Sequence, residues 1–367
     1  MLPRLHALTH RTLLQSHYPW LLPPFIISAP MRIFTSPNLA LCVARAGGLG
    51  FIGPGATPQS TLDDLRSASA ILEAAPFPSI FPGTETADGS RVLPLGVGFQ
   101  MWNGDLEAAK EAVGKYKPAA AWLFAPRGGQ EETEVWIRGL RGVSPGTRVW
   151  LQIGTVREAM EAVRAEARPD VLVVQGAEAG GHGRARDGVG FVTLLPEVAD
   201  EMGREGVVGV PLVAAGGIVD GRGVVAALGV GAAGAAMGTR FLAAEEARVA
   251  RGYQEEVVRA GDGGRNTVRT HLYNHLRGTF GWPEEWAPRT IVNRSWEEKE
   301  EGVEFEELKK RHDELLKEGD KAWGPEGRTA TYAGAGIGLV RGVKSAGDIV
   351  EEVRGDAQAI LKALAGP

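Results

Sequence analysis

Short apolar runs, many of them β-branched, alternate along the chain with segments in which apolar positions recur every three to four residues. The first pattern predicts strands buried on both faces and the second amphipathic helices. Strands are predicted over residues 23–31, 49–52, 92–99, 119–124, 148–153, 171–175, 211–215 and 234–237. Helices are predicted over 37–47, 59–74, 105–116, 131–140, 155–167, 191–202 and 221–228, with Asp105 and Thr155 as N-caps. A polar turn is expected over 84–90. Eight strands, most followed by a helix, need parallel crossover connections and predict a closed (β/α)8 barrel. An open doubly wound sheet would need a phosphate loop early in the chain, and none is present.

The pattern changes after Thr239. Residues 245–328 are charged and carry Trp282, Trp286, Trp296 and Trp323 without strand alternation, and 297–321 reads as a highly charged helix. The expected organisation is a barrel over 1–244, an inserted, mostly helical, substrate-side domain over 245–328, and a segment over 329–367 that rejoins the barrel. That last segment is glycine-rich at 331–340 and ends in an amphipathic helix at 345–364.

Composition narrows the class. The 367 residues are 44% hydrophobic and carry a net charge of −5, with a pI near 5.9, which argues against nucleic acid or an anionic membrane as partner. No apolar run approaches the ~18 residues of a membrane span. The single cysteine, Cys42, falls inside the first predicted helix. It fits a buried, inert thiol and a reducing, cytoplasmic compartment. Arg4, Arg11 and Arg32 precede the first acidic residue, Asp63, as in a mitochondrial presequence; a short surface extension is the preferred reading.

The 51 glycines cluster after the strands. The sixth strand ends in Gly180-Gly181-His182-Gly183, where the backbone can approach a ligand and one titratable ring is presented at the barrel mouth as a candidate general base. The seventh and eighth strands end in Gly216-Gly217 and Gly238-Thr239, at the loops that commonly hold a phosphate in such barrels, with a helix N-terminus after Gly216-Gly217. Gly229–Gly234 spells a dinucleotide fingerprint but follows a helix and opens a strand, the reverse of what that motif requires. His271 and His275 are four apart without a zinc-protease glutamate between them or a third ligand, so a structural role is expected and no metal site.

SAPM (28–31), ARAGGLGFIG (44–53), QGAEAGGHG (175–183), AAGGIVDGRG (214–223) and AAMGTRFLAAEEA (235–247) together resemble the nitronate monooxygenases. The resemblance runs from about residue 24 to 246 and resumes at 332–350. It implies an FMN-containing TIM barrel that oxidises alkyl nitronates, and nitroalkanes in some members, with O2 to a carbonyl compound and nitrite. By position it implies that the backbone at Ala29, Pro30 and Met31 lies against the isoalloxazine and that Gln175 hydrogen-bonds it. Gly180, Gly181, Gly216, Gly217, Gly238 and Thr239 would hold the phosphate, Tyr332 and Gly334 would flank the cofactor, and His182 would be the base. Small-molecule nitronate and O2 are the implied partners, and a homodimer is compatible with the sequence. Ala335 stands where many members carry Gln. The third strand loop reads Phe99-Gln100-Met101-Trp102, so Gln100 is expected as a substitute flavin contact and Trp102 as a residue that narrows the pocket. Bacterial FMN enoyl-reductases and some quinone reductases share the EAGGH and AAGGI blocks, which leaves an NAD(P)H-dependent reductase as the alternative. A non-flavin phosphate-binding barrel is the third.

Overall fold

Eight parallel strands close a barrel in the computed structural model, which describes residues 3–76 and 92–366, with side chains from residue 10 onward. They are β1 (Phe25–Ser28), β2 (Leu49–Ile52), β3 (Leu93–Gln100), β4 (Pro118–Phe124), β5 (Arg148–Ile153), β6 (Val171–Gln175), β8 (Leu212–Ala215) and β9 (Gly234–Met237). Phe25 lies opposite Gly234 and Ser28 opposite Met237 where the ring closes. Each strand segment predicted from sequence has its counterpart. The turn read at 84–90 lies outside the described residues.

The strands read as continuous apolar runs because both faces are buried. One alternate set, including Phe25, Ile27, Phe51, Trp122, Trp150, Val171, Val173 and Val213, fills the interior. The other, including Ile26, Ile52, Val97, Leu151, Leu172 and Val174, packs beneath the helices. Aromatic rings take up most of the inner volume: Phe51 meets Trp122 edge-on at 5.2 Å and Trp150 at 5.2 Å between ring centroids. Gly96 on β3 has to be glycine, since a Cβ there would lie 2.2 Å from Cε1 of Phe51.

The amino-terminal segment is not a surface extension. The helix Pro3–His17 leads into Tyr18, Trp20 and Leu21, all buried with Leu14 in the barrel's interior cluster. Trp150 Nε1 donates to the Tyr18 hydroxyl at 2.6 Å. Leu22 N–H donates to Gly47 O, just before β2, so the segment seals the amino-terminal end of the barrel. Leucines and aromatics in this stretch were a core signal that its basic residues obscured.

The helix Ala346–Ala365, capped by Ser345, packs against the helices Gly221–Gly229 and Pro37–Arg45 and so occupies the eighth helical position of the barrel. Residues 243–345 are thus an excursion between the eighth barrel strand and its helix. It holds the helices Arg251–Arg259, Arg294–Glu300 and Phe305–Leu316, so the single charged helix read over 297–321 is two helices broken at 301–304. It also holds an antiparallel sheet that the sequence reading lacks. Central β11 (Trp286–Ile291) pairs with β10 (Thr267–Arg269) on one side and with β7 (Gly181–Arg184) on the other. Glycine, histidine and proline have poor strand propensity, so GHGR and WAPRTI read as loop; here His182 lies opposite Pro288 in the pairing.

Candidate active site

One cavity of about 260 Å³ opens at the carboxyl ends of the barrel strands. It is lined by all fourteen residues singled out from the sequence: Ala29, Pro30, Met31, Gln100, Gln175, Gly180, Gly181, His182, Gly216, Gly217, Gly238, Thr239, Tyr332 and Gly334. Barrel strands deliver their last residues to a common mouth, which brings together positions far apart in sequence.

The 176–183 loop is fixed from behind by arginine. Arg269 on β10 donates to the carbonyls of Ala179 (2.8 Å), Gly181 (3.0 Å), Ala177 (3.2 Å) and Ala287. Arg289 on β11 also donates to Ala177 O. Among the described residues neither guanidinium forms an ion pair. Burial, reinforced by Arg289, pulls the Arg269 pKa down to about 9. From the other side Ala335 N–H donates to Glu178 O at 2.8 Å. The backbones there are so close that a Cβ on Gly180 would lie 2.5 Å from Gly334 N.

His182 is held by three contacts. Its ring stacks on Trp282, with centroids 3.6 Å apart and planes within 11°. Its Nε2 lies 3.2 Å from Nδ2 of Asn274. Its backbone carbonyl accepts a long bond from Gln175 Nε2 at 3.4 Å. Burial, with the nearby positive charge of Arg269, lowers the ring's pKa to about 3. The imidazole is therefore neutral at ordinary pH.

The N-terminus of Gly221–Gly229 carries its own cap: the Asp220 carboxylate accepts from Arg222 N–H and Gly223 N–H, which leaves fewer free N–H donors there for a phosphate. The glycine backbone and Thr239 remain. Gly216 and Gly217 have φ of 101° and 70°, a region glycine enters without strain. Thr239 Oγ1 accepts from Gly334 N–H at 2.9 Å, which leaves the hydroxyl hydrogen free to donate. A Cβ on Gly238 would project toward Met31 Sδ and Ala29 Cβ at 3.6 and 3.9 Å, into the cavity. A flat, phosphate-bearing group fits this donor set of small backbone loops, Gln100, Gln175 and the Ala29–Met31 backbone, all of which line the one cavity.

Several lining residues were missed. Gln152 accepts from Trp122 Nε1 at 3.1 Å; it is the one polar residue in the inner part of an apolar strand, a signal that was available. Arg32, Asn274, Arg277 and Trp282 also line the cavity. Arg277 donates to the Tyr332 hydroxyl at 2.8 Å. Burial, and then the charge of Arg277, lowers the pKa of Arg32. Two guanidiniums thus share the mouth, and among the described residues neither forms an ion pair. Trp102 packs against Trp282 with ring centroids 4.6 Å apart and planes tilted by 38°, and helps wall the pocket. Cys42 stays away from the cavity; burial, with Glu246 adding, raises its thiol to about 11. No group of three metal-ligating side chains occurs among the described residues, and no helix among them is long and apolar enough to cross a membrane.

Comparison with known proteins gives a consistent result. The nitronate monooxygenase family model matches residues 143–356. A nitronate monooxygenase of Metarhizium robertsii, npaC, is 58% identical over 346 residues, covering 94% of each chain. A nitronate monooxygenase of Neurospora crassa is 34% identical, over 96% of this chain and 94% of that one. Among solved structures, FabK from Thermotoga maritima superposes with a TM-score of 0.69 at 27% identity, over 96% of this chain and 98% of that one.

Proposed function

The chain belongs to the nitronate monooxygenase family, and from that premise we propose that its cavity binds FMN and oxidises small anionic nitronates with O2 to a carbonyl compound and nitrite. The observation that carries the reading is the convergence, in one cavity at the barrel mouth, of a neutral histidine, two glycine loops with a free hydroxyl donor, and two guanidiniums that have no carboxylate partner among the described residues. A bound FMN supplies the electron acceptor for the nitronate and the centre at which O2 is reduced.

The chain's own residues supply the rest. Gly216, Gly217, Gly238 and Thr239 hold the phosphate through N–H and O–H donors. Gln100, Gln175 and the Ala29–Met31 backbone hold the ring system, with Tyr332 and Gly334 closing over it. Arg32 and Arg277 make the mouth attractive to an anion, since charges without counter-ions in a partly dry cleft act at longer range than in water. His182 orients the nitronate, and when a neutral nitroalkane enters it is the group positioned to meet the α-proton. The excursion over 243–345 acts as a substrate-side unit over the barrel mouth, and the helix Ala346–Ala365 rejoins the barrel.

The test is oxygen uptake and nitrite release by the purified protein given ethylnitronate in air. Uptake with matching nitrite is the expected result. A flavin-loaded protein that takes up no oxygen, but whose colour bleaches with NAD(P)H, would replace this reading with a reductase.

A further inference from the structure

A histidine can take a proton only through a nitrogen whose lone pair is free, so its tautomer decides what it can do. At His182 the ring plane is fixed by Trp282, stacked at 3.6 Å, and neighbours can act only on the ring edge. One edge nitrogen, Nε2, is met by the Asn274 amide nitrogen at 3.2 Å. An amide NH2 group is a donor only. Nε2 must therefore accept, and in the neutral ring the proton must sit on Nδ1. Asn274 is 2% exposed and cannot turn away freely. Its helix, Leu272–Leu276, is anchored by buried Leu272, Tyr273 and Leu276 against Leu308, and the Tyr273 hydroxyl donates to Asn293 Oδ1 at 2.6 Å.

We propose that Asn274 is a positioning residue that sets the tautomer of His182, with Nε2 occupied and Nδ1 protonated, and so makes the site selective for the preformed nitronate over the neutral nitroalkane. This rests on the reading of His182 as the group that meets the α-proton. In the Nδ1–H state the ring offers an N–H to an anionic oxygen and holds no free lone pair for a C–H bond. Nitroalkane oxidation must begin with breakage of the α C–H bond: the proton passes to the ring, and the bond's electron pair moves onto the nitro group to give the nitronate. That step has to wait for the minority tautomer. The charged groups around the ring act the same way. Arg269 from β10, and His271 and Arg277 at either end of the Asn274 helix, oppose its protonation, and the Tyr332 ring faces it 6.2 Å away between centroids.

Two variants and one spectrum test this on the flavin-loaded protein, with nitroethane and ethylnitronate as probes. In Asn274→Asp the side chain can only accept, so Nε2 must donate and Nδ1 is freed, while the carboxylate raises the ring's pKa. The kcat/KM ratio of nitroethane to ethylnitronate should rise roughly tenfold or more, since each unit of basicity gained is about a factor of ten in protonation equilibrium. Its pH profile should gain a limb that the parent lacks. Asn274→Ala, which removes the donor without adding charge, should raise the ratio less. Nitrogen-15 spectra of histidine-labelled parent protein, with the His182 signals assigned by their loss in His182→Asn, should show Nδ1–H. A parent signal for Nε2–H, or an unchanged ratio in both variants, overturns the tautomer assignment while leaving His182 as base. If the gain of Asn274→Asp survives in the double variant with His182→Asn, the base reading itself is wrong and the inference falls with it.

Discussion

Burial and the guanidiniums of Arg269 and Arg277 keep the His182 ring neutral down to about pH 3. The nitroalkane kcat/KM of the parent protein should therefore show no ionisation of His182 between pH 4 and 8; a limb near 6.5, the value of a free imidazole, would contradict this environment. Replacing the ring by His182→Asn should lower nitroethane turnover by about a hundredfold, the lower range for loss of a general base. Ethylnitronate turnover should fall much less, because the anion arrives already deprotonated. Equal losses would count against the base role. The paired guanidiniums give a different signature. Arg32→Gln should raise KM for ethylnitronate several-fold with a smaller change in kcat, and salt should weaken the parent's affinity more than the variant's. These residues differ in how visible they were. His182, the glycines and Thr239 stand in strand-end loops of unusual composition. Asn274, Arg277 and Trp282 come from a stretch without periodicity, and only folding brings them to the mouth.

At the scale of elements, barrel strands announce themselves because burial on both faces makes them uniformly apolar. The Asp105 and Thr155 caps were equally plain: each side chain accepts from the third helical N–H, and Thr155 forms a full capping box with Glu158. The sheet of β7, β10 and β11 was not legible. Its strands are three to six residues long, and β7 finds its partner β11 about a hundred residues away, so their existence depends on contacts that local pattern does not encode. The glycine between Phe51 and the barrel wall makes a sharp element-level prediction. Gly96→Ala pushes a methyl group into the Phe51 ring within an aromatic cluster that has no slack, and should cost about 1–3 kcal/mol. Thermal unfolding monitored by calorimetry reads it, and an unchanged Tm would mean that the Phe51–Trp122–Trp150 packing is looser than described.

At the scale of the molecule, acid should loosen the fold in two steps. His17 and His182 are held neutral, near 4 and 3, chiefly by burial. The unfolded chain takes up their protons near 6.5 and the folded one does not, so stability falls as pH drops below about 6.5. Glu298 adds the second step. Arg328 (2.6 and 2.7 Å) and Arg311 (2.9 Å) hold its carboxyl down to about 2, so its contribution is complete above 4.5 and is lost as pH falls through that value toward 2. Tm measured at pH 7, 5.5 and 4 should decline throughout, and Glu298→Gln should flatten the last part. A constant Tm from pH 7 to 5 would refute the histidine contribution.

The excursion over 243–345 leaves between the eighth strand and the helix Ala346–Ala365 that completes the ring. A growing polypeptide therefore emerges from the ribosome with all eight strands made, yet with one flank of the cylinder bare until a further hundred residues have followed. Ile349, Val350 and Val353 cover that flank only at the end. The nascent protein must hold an almost finished cylinder with an apolar stripe exposed, the kind of surface on which chaperones act and at which premature association begins. Assembly of the excursion and closure of the outer ring are thereby tied into one late event.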